Sequence, residues 1–259
     1  MGDKFVKIKG ILLDKDGTLI DFFSLWGEAA CKVTERVIDE YHLGQLPQAR
    51  GCLLDSLGIK DGLADPEGAL AWKSYSMIAD DVYCALENQM KKHSFSPCTK
   101  FCRENLEETL VREFTEETCT KVTEFKTFTD LKKLMSALAE KGIKLGVATT
   151  DTLDAAKDCC QKLGIYDEIS FWAADGAEYP LKPDAEIITA AARLWGITPA
   201  EVAMVGDTPN DLRFAKNGHA VGIAVLCGTG KRKDLERLAD YTIDSLDDLL
   251  PLLCRENYI

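Results

Sequence analysis

Long hydrophobic runs are absent from this sequence of 259 residues. No stretch approaches the ~20 consecutive apolar residues that a membrane-spanning helix needs. The first residues, MGDKFVKIKG, contain no apolar segment of the kind that directs secretion. We therefore expect a cytoplasmic protein, in which the ten cysteines are reduced thiols. The cysteines form no CxxC pair, so we predict no zinc site among them.

Positive charge is also scarce. The chain has 31 lysines and arginines against 43 aspartates and glutamates, which gives a formal net charge of −12. This balance argues against general nucleic-acid binding and against docking on anionic membranes. An anionic substrate must then be attracted locally, by a metal ion, a lysine or backbone N–H groups. The composition, with 46% hydrophobic and 29% charged residues, is otherwise that of an ordinary globular protein.

The second half of the chain alternates between strand and helix patterns. From about residue 121, short apolar runs are separated by amphipathic segments, several of which end in glycine, as helices commonly do. The runs are IKLGVATT, EISFWAAD, EVAMVGD, AVGIAVL and ADYTI, and VKIKGILLD near the start is of the same type. Such alternation predicts an α/β fold with a doubly wound parallel sheet covered by helices on both faces.

Residues 22–120 show a different pattern, which is helical almost throughout. Apolar residues recur there at spacings of three and four, for example in ALAWKSYSMIADDVYCALENQMKK, and no strand pattern stands out. We predict an α/β core domain of residues 1–21 and 121–259, with a helical domain of residues 22–120 inserted after the first strand. Trp26 and Trp72 lie at helical spacing among apolar residues, so we expect both in the core of the inserted domain.

Polar and charged side chains stand where the predicted strands end. Because the carboxyl ends of parallel strands meet at one edge of a sheet, we expect these side chains to share one site. The candidates are Asp14, Asp16, Thr149, Thr150, Lys182, Asp207 and Asp211.

This set of residue types suits phosphoryl transfer. Clustered carboxylates repel one another unless a hard divalent cation such as Mg²⁺ neutralises them. A lysine and strand-end N–H groups can hold a phosphate. One aspartate can attack phosphorus, and a second carboxylic acid can protonate the leaving oxygen and then deprotonate water. Asp14 and Asp16 are placed for these two roles.

Each segment also has a simpler local interpretation. Asp-Gly after Asp14 is a hairpin signal, and Thr149 is a β-branched residue that suits a strand. Lys182-Pro183-Asp184 is a good helix start, and Asp207 is a suitable cap for the helix that follows it. None of these local interpretations explains why four successive strand ends carry such residues.

Four motifs together resemble the haloacid dehalogenase superfamily of phosphohydrolases. They occur in the family's order as ILLDKDGTL, LGVATT, LKPD and MVGDTPND. The resemblance implies a Rossmann-like core in which Asp14 is the nucleophile and Asp16 the general acid and base. It also implies phosphate binding by Thr149, the backbone of Thr150 and Lys182.

The same resemblance implies a Mg²⁺ site. Its ligands would be Asp14, the backbone carbonyl of Asp16, and Asp207, with Asp211 supporting the waters of the metal or the lysine. The acid two residues after the nucleophile is found in phosphatases and phosphomutases of the superfamily. Its dehalogenases usually have Tyr there, its phosphonate hydrolases Ala, and its P-type ATPases Thr.

The resemblance extends to the inserted region, which looks like the C1-type helical cap of the superfamily. We therefore predict a Mg²⁺-dependent phosphatase of the phosphoglycolate-phosphatase-like subgroup, acting on a small phosphorylated metabolite as a monomer or homodimer. Two alternatives remain at this point. One is a phosphomutase of the β-phosphoglucomutase type, and the other is a non-catalytic binding protein, whose usual signature is the loss of a motif aspartate.

Overall fold

The structure, a computed structural model, describes residues 7–60, 63–65, 68–120, 122–256 and 258–259. It divides the chain into two compact units, Met1–Phe22 with Glu124–Ile259, and Phe23–Thr123. Among the described residues, no helix has both the length and the apolar character to cross a bilayer.

The first unit contains a six-stranded sheet in which every neighbouring pair is parallel. Its strands are β1 (Gly10–Leu13), β4 (Lys144–Thr152), β5 (Ile169–Asp175), β6 (Val202–Gly206), β7 (Val221–Val225) and β8 (Tyr241–Ile243). The helices of this unit are α6 (Leu131–Glu140), α7 (Leu153–Leu163), α8 (Glu186–Trp195), α9 (Pro209–Asn217), α10 (Arg232–Leu235) and α11 (Leu249–Arg255). The predicted doubly wound α/β fold is confirmed, with each apolar run forming a strand.

Burial explains why these segments form strands. Every residue of β1 and of β6 is buried, so both faces of the sheet centre are covered. One face packs against α8, whose apolar residues Ile187, Ile188, Ala191 and Ala192 recur at helical spacing and contact the sheet core. A near-continuous apolar run is therefore the sequence pattern that a central parallel strand requires.

The strand order determines where a ligand can bind. The sheet runs β5-β4-β1-β6-β7-β8, so β1 lies between β4 and β6. After β1 the chain builds the sheet outward through β4 and β5, then returns to the other side of β1 to add β6. This reversal leaves a crevice at the carboxyl end of β1, which is the usual ligand site of open α/β sheets.

The second unit is helical, with a small sheet. It comprises α1 (Phe22–Glu40), α2 (Ala49–Leu57), α3 (Ala69–Trp72), α4 (Tyr75–His93), α5 (Arg103–Thr115) and a π-helical turn (Glu116–Thr120), together with β2 (Ile59–Lys60) and β3 (Leu63–Ala64). The two strands pair in an antiparallel manner. They were missed by the sequence prediction because two residues are too short for alternation to be visible.

One prediction for the second unit is half wrong. Trp26 is buried against Phe114, as expected, but Trp72 is 40% exposed. The predicted long helix breaks at Lys73, because the side chain of Ser74 accepts the backbone N–H of Met77 and starts a new helix there. Trp72 therefore ends a helix of four residues, and its ring lies 5.1 Å from the Lys73 ammonium group.

Two glycines that follow helices in the first unit are required for different structural reasons. Gly196 after α8 has φ +68°, and a Cβ there would meet open space, so its role is conformational. Gly218 after α9 has φ −86°, which any residue adopts. A Cβ at Gly218 would lie 2.4 Å from Cδ1 and 2.8 Å from Cβ of Ile188, so its role is to allow close packing.

Replacement by asparagine, compared with replacement by alanine, should therefore have opposite effects on stability at Gly196 and at Gly218. Gly196→Ala should cost about 1–2 kcal/mol of unfolding free energy, and Gly196→Asn less, because asparagine tolerates the left-handed conformation. Gly218→Ala should cost about 1–3 kcal/mol through overpacking, and the larger Gly218→Asn more. Urea unfolding of the four variants measures these costs. Equal responses to asparagine at both positions would contradict the assignment.

Candidate active site

The motif residues converge at the carboxyl end of β1. Asp14 follows this strand directly, and its backbone N–H donates to the carbonyl of Val205 in β6 at 2.9 Å. Asp207 follows β6, and Asp211 lies in the first turn of α9. One carboxylate oxygen from each of Asp14, Asp207 and Asp211 lies within 4.8 Å of the others, and all three residues are buried. The hairpin interpretation of Asp14-Lys-Asp-Gly is wrong, because β1 pairs with β4 and β6 on its two sides.

The ammonium group of Lys182 joins two of these carboxylates. Its Nζ lies 2.6 Å from Oδ1 of Asp14 and 2.6 Å from Oδ1 of Asp211, and its side chain is almost completely buried. Burial lowers the pKa of Lys182, but the attraction of the two carboxylates is stronger, so that the pKa is raised and the lysine stays charged. Lys182 thus connects the loop before α8 to the end of β1.

Asp207 accepts hydrogen bonds from two loops. Its Oδ2 accepts the backbone N–H of Thr229 at 2.6 Å and the hydroxyl of Thr229 at 2.7 Å, and its Oδ1 accepts the Thr18 hydroxyl at 3.3 Å. Burial and the neighbouring Asp211 nevertheless raise the pKa of Asp207 to about 6. The carboxylate is therefore well oriented but short of compensating positive charge.

Asp211 is oriented by the cap of α9. The N-cap of this helix is Thr208, whose hydroxyl accepts the N–H of Asp211 while Asp211 Oδ2 accepts the N–H and the hydroxyl of Thr208. The local interpretation of Asp207 as the helix cap is therefore wrong. The capping box leaves Oδ1 of Asp211 for Lys182.

These residues fit a hard divalent cation. Three ionised carboxylates and one ammonium group sum to a formal charge of −2 in a buried place. Burial raises the pKa of Asp14 well above its usual range, and Asp211 and Asp207 raise it further against the pull of Lys182. A cation bound by carboxylate oxygens would remove this penalty, and oxygen donors are those that Mg²⁺ prefers.

The ligand set predicted from the sequence differs in part from the carboxylate group seen here. Asp14 and Asp207 belong to the group, and so does Asp211, for which we expected only a supporting role. Asp16 contributes no carboxylate to it among the described residues, and its expected contribution through the backbone carbonyl stays a prediction. Its carboxylate oxygen Oδ2 lies 2.6 Å from the ammonium group of Lys15.

The two threonines predicted to bind phosphate lie in β4. Thr149 is buried, and its hydroxyl accepts the backbone N–H of Asp151 at 3.2 Å. Thr150 is partly exposed. The structure places both near the end of a strand that neighbours β1, and their role in phosphate binding stays a prediction.

Glycines allow the loops around Asp207 to approach it closely. Gly17 has φ +84°, and a Cβ there would lie 2.3 Å from Oδ2 of Asp207. A Cβ at Gly228 would lie 2.3 Å from the same oxygen, and one at Gly230 2.1 Å from the Asp207 carbonyl oxygen. Thr229, which lies between Gly228 and Gly230, is a site residue that the sequence analysis missed. The signal for it was the Gly-Thr-Gly pattern directly after an apolar strand.

Comparison with known proteins identifies relatives of the whole chain. A family model described as haloacid dehalogenase-like hydrolase matches residues 8–219. A phosphoglycolate phosphatase from Chromobacterium violaceum is 26% identical over 246 residues, which is 95% of this chain and 96% of that protein. The pyrophosphatase PpaX of Bacillus mycoides is 31% identical over 124 residues, 46% of this chain and 56% of that protein. The matches to pyrophosphatases named PpaX cover about half of the length of those proteins.

A solved structure shares the fold over its full length. It is described as a predicted phosphoglycolate phosphatase from Haemophilus somnus, with a TM-score of 0.71 and 18% identity. The match covers 97% of this chain and 99% of that one.

Neutralising Asp207 should stabilise the metal-free protein near neutral pH. Because its pKa is raised from 3.8 to about 6, the folded state binds this proton more tightly than the unfolded state. The resulting destabilisation is absent below about pH 4, grows between about pH 4 and 6, and is complete above. In EDTA at pH 7.5, Asp207→Asn should have a higher free energy of unfolding than wild type, and this advantage should shrink as the pH falls from about 6 to about 4.

Urea unfolding between pH 4 and 8 measures this difference, with the exposed Asp167→Asn as the control for loss of one negative charge. Added Mg²⁺ should then stabilise wild type more than Asp207→Asn, because only wild type keeps the full set of carboxylates. An Asp207→Asn protein that is less stable than wild type in EDTA at pH 7.5 would contradict this account of the site.

Proposed function

Because the chain belongs to the haloacid dehalogenase-like hydrolases and is a phosphohydrolase, we propose that it is a Mg²⁺-dependent phosphatase with an aspartyl-phosphate intermediate. The proposed substrate is a small phosphorylated metabolite in the cytoplasm. No nucleic acid or membrane takes part, and the chain acts as a monomer or homodimer.

One observation carries the proposal. Asp14, at the carboxyl end of the central strand, shares the Lys182 ammonium group with Asp211 inside a buried group of three carboxylates. A structural ion pair needs one carboxylate for one lysine, and each further buried carboxylate costs free energy unless a cation is bound. An excess of buried carboxylates around a nucleophile candidate is the arrangement expected where a bound cation supplies the missing positive charge.

The proposed reaction has two steps. A carboxylate oxygen of Asp14 attacks phosphorus, the bond from phosphorus to the ester oxygen breaks, and Asp16 gives its proton to the departing oxygen. Asp16 then takes a proton from water, the hydroxide formed attacks phosphorus, and the bond to Asp14 breaks, which releases phosphate. Lys182 and Thr149 hold the phosphoryl oxygens during both steps.

Mg²⁺, held by Asp14, Asp207 and the backbone carbonyl of Asp16, would neutralise the carboxylates and offset negative charge on the phosphoryl group. The raised pKa values of Asp14 and Asp207 support a need for such a cation, because the nucleophile must be ionised to attack. Lys182 alone leaves the carboxylates undercompensated.

The substrate class rests on the relatives. Full-length relatives carry the name phosphoglycolate phosphatase, which supports a small phosphorylated acid or a similar monoester as substrate. The candidate aspartates Asp14, Asp16, Asp207 and Asp211 are all present, which does not support a non-catalytic binding protein.

Asp14→Asn should abolish phosphate release while the protein stays folded. Its amide cannot attack phosphorus, so kcat should fall by at least about 10⁴-fold. The measurement is phosphate release from a panel of phosphorylated metabolites, with Mg²⁺ and with EDTA, for wild type and Asp14→Asn. Circular dichroism verifies folding of both proteins, and the exposed Asp167→Asn controls for the charge change.

Appreciable turnover by Asp14→Asn, or wild-type turnover that persists in EDTA, would contradict the proposed mechanism. The products should also be identified for the sugar phosphates of the panel. An isomerised sugar phosphate in place of free phosphate would assign the chain to the phosphomutases instead.

A further inference from the structure

A second buried lysine, Lys15, has no role in the reaction described above. Lys15 stands between Asp14 and Asp16 in the sequence and is only 2% exposed. Its ammonium group lies 2.6 Å from Oδ2 of Asp16 and 3.0 Å from Oδ2 of Asp151. The arrangement repeats that of Lys182, which lies between Asp14 and Asp211. Each of the two aspartates expected to react, Asp14 and Asp16, thus forms an ion pair with a buried lysine. Each of these lysines also pairs with a second buried aspartate.

Asp151 is a fixed anchor for this arrangement. It is buried, and its Oδ1 accepts the backbone N–H of Thr152 at 2.7 Å. Its own N–H donates to the hydroxyl of Thr149 at 3.2 Å, so the anchor lies in the same end of β4 as this phosphate-binding candidate. Lys15 therefore joins the end of β4 to Asp16, across two neighbouring strands.

The backbone of Lys15 is equally constrained. Its carbonyl accepts the N–H groups of Leu19 at 2.9 Å and of Ile20 at 3.1 Å, which closes the loop that carries Asp16. A lysine in this loop cannot turn its side chain to solvent without leaving Asp151 as an uncompensated buried charge. The backbone of Lys15 is therefore fixed by hydrogen bonds, and its ammonium group is fixed by ion pairs.

We propose that Lys15, anchored by Asp151, is a positioning residue that orients the carboxyl group of Asp16 for proton transfer to the leaving oxygen. The inference rests on the proposed function, in which Asp16 is the general acid and base. In that role Asp16 passes its proton to the ester oxygen as the bond from that oxygen to phosphorus breaks.

The test compares two phosphate monoesters that differ in their need for an acid. Glycerol 1-phosphate releases an alkoxide, which needs a proton as it departs, whereas 4-nitrophenyl phosphate releases a phenolate that departs without one. The ratio kcat/KM reports the first phosphoryl transfer for both esters. Lys15→Met should lower kcat/KM about 100-fold for glycerol 1-phosphate and less than about fivefold for 4-nitrophenyl phosphate, since general acid catalysis contributes at least that much.

Two further variants separate this inference from the proposed function. Asp16→Asn should itself show the selective loss on the alkyl ester, and equal losses on both esters would contradict its role as the acid. If Asp16→Asn is selective and Lys15→Met is not, the proposed function stands and the positioning role is overturned. Lys9→Met removes an exposed ion pair with Glu201 and should leave both esters unaffected.

A double variant separates positioning from folding. Lys15→Met leaves Asp151 buried without its partner, so its melting temperature should fall. Lys15→Met with Asp151→Asn removes both charges and should restore the melting temperature, while kcat/KM for the alkyl ester stays low. Recovery of that activity together with stability would show that Lys15 is only structural and would overturn the proposal.

Discussion

Electrostatic repulsion among carboxylates is the constraint on which the centre of this protein depends. Asp14, Asp207 and Asp211 are buried within a few ångströms of one another, where water cannot screen their charges. Lys182 offsets part of this repulsion by bridging Asp14 and Asp211. The pKa values of Asp14 and Asp207 are raised despite this lysine, because burial and the neighbouring carboxylates disfavour their ionised forms. A bound divalent cation would relieve this repulsion, and its binding would then be coupled to stability.

The surrounding loops are shaped by the same constraint. Gly17, Gly228 and Gly230 lack the side chains that would collide with Asp207, and their loops bring hydroxyl and N–H donors to its carboxylate. The Thr208 capping box orients Asp211 in the same way. Donors from the loops after β1, β6 and β7 thus meet at carboxylates, which explains why polar residues follow apolar strands in this chain.

Much of the first unit could be predicted because its pattern is strong and local. A central parallel strand must be apolar on both faces, so runs such as VAMVG stand out without any knowledge of the fold. The inserted unit was harder to predict. Ser74 begins a new helix inside a continuous helical pattern, which leaves Trp72 exposed, and apolar spacing alone does not reveal such a cap. The pair β2 and β3 is too short to have a pattern at all.

The α/β class, the inserted helical region and the residue types at the strand ends are readable from the sequence, because each follows from periodicity or from motifs within a few residues. The pairing of the side chains depends instead on the fold. Lys15 could face either neighbour in the motif, and the fold directs it to Asp16 and Asp151. Lys182 reaches Asp14 across 168 residues of chain. Pairings of this kind depend on which strands become neighbours, and strand order is set by burial over the whole sheet.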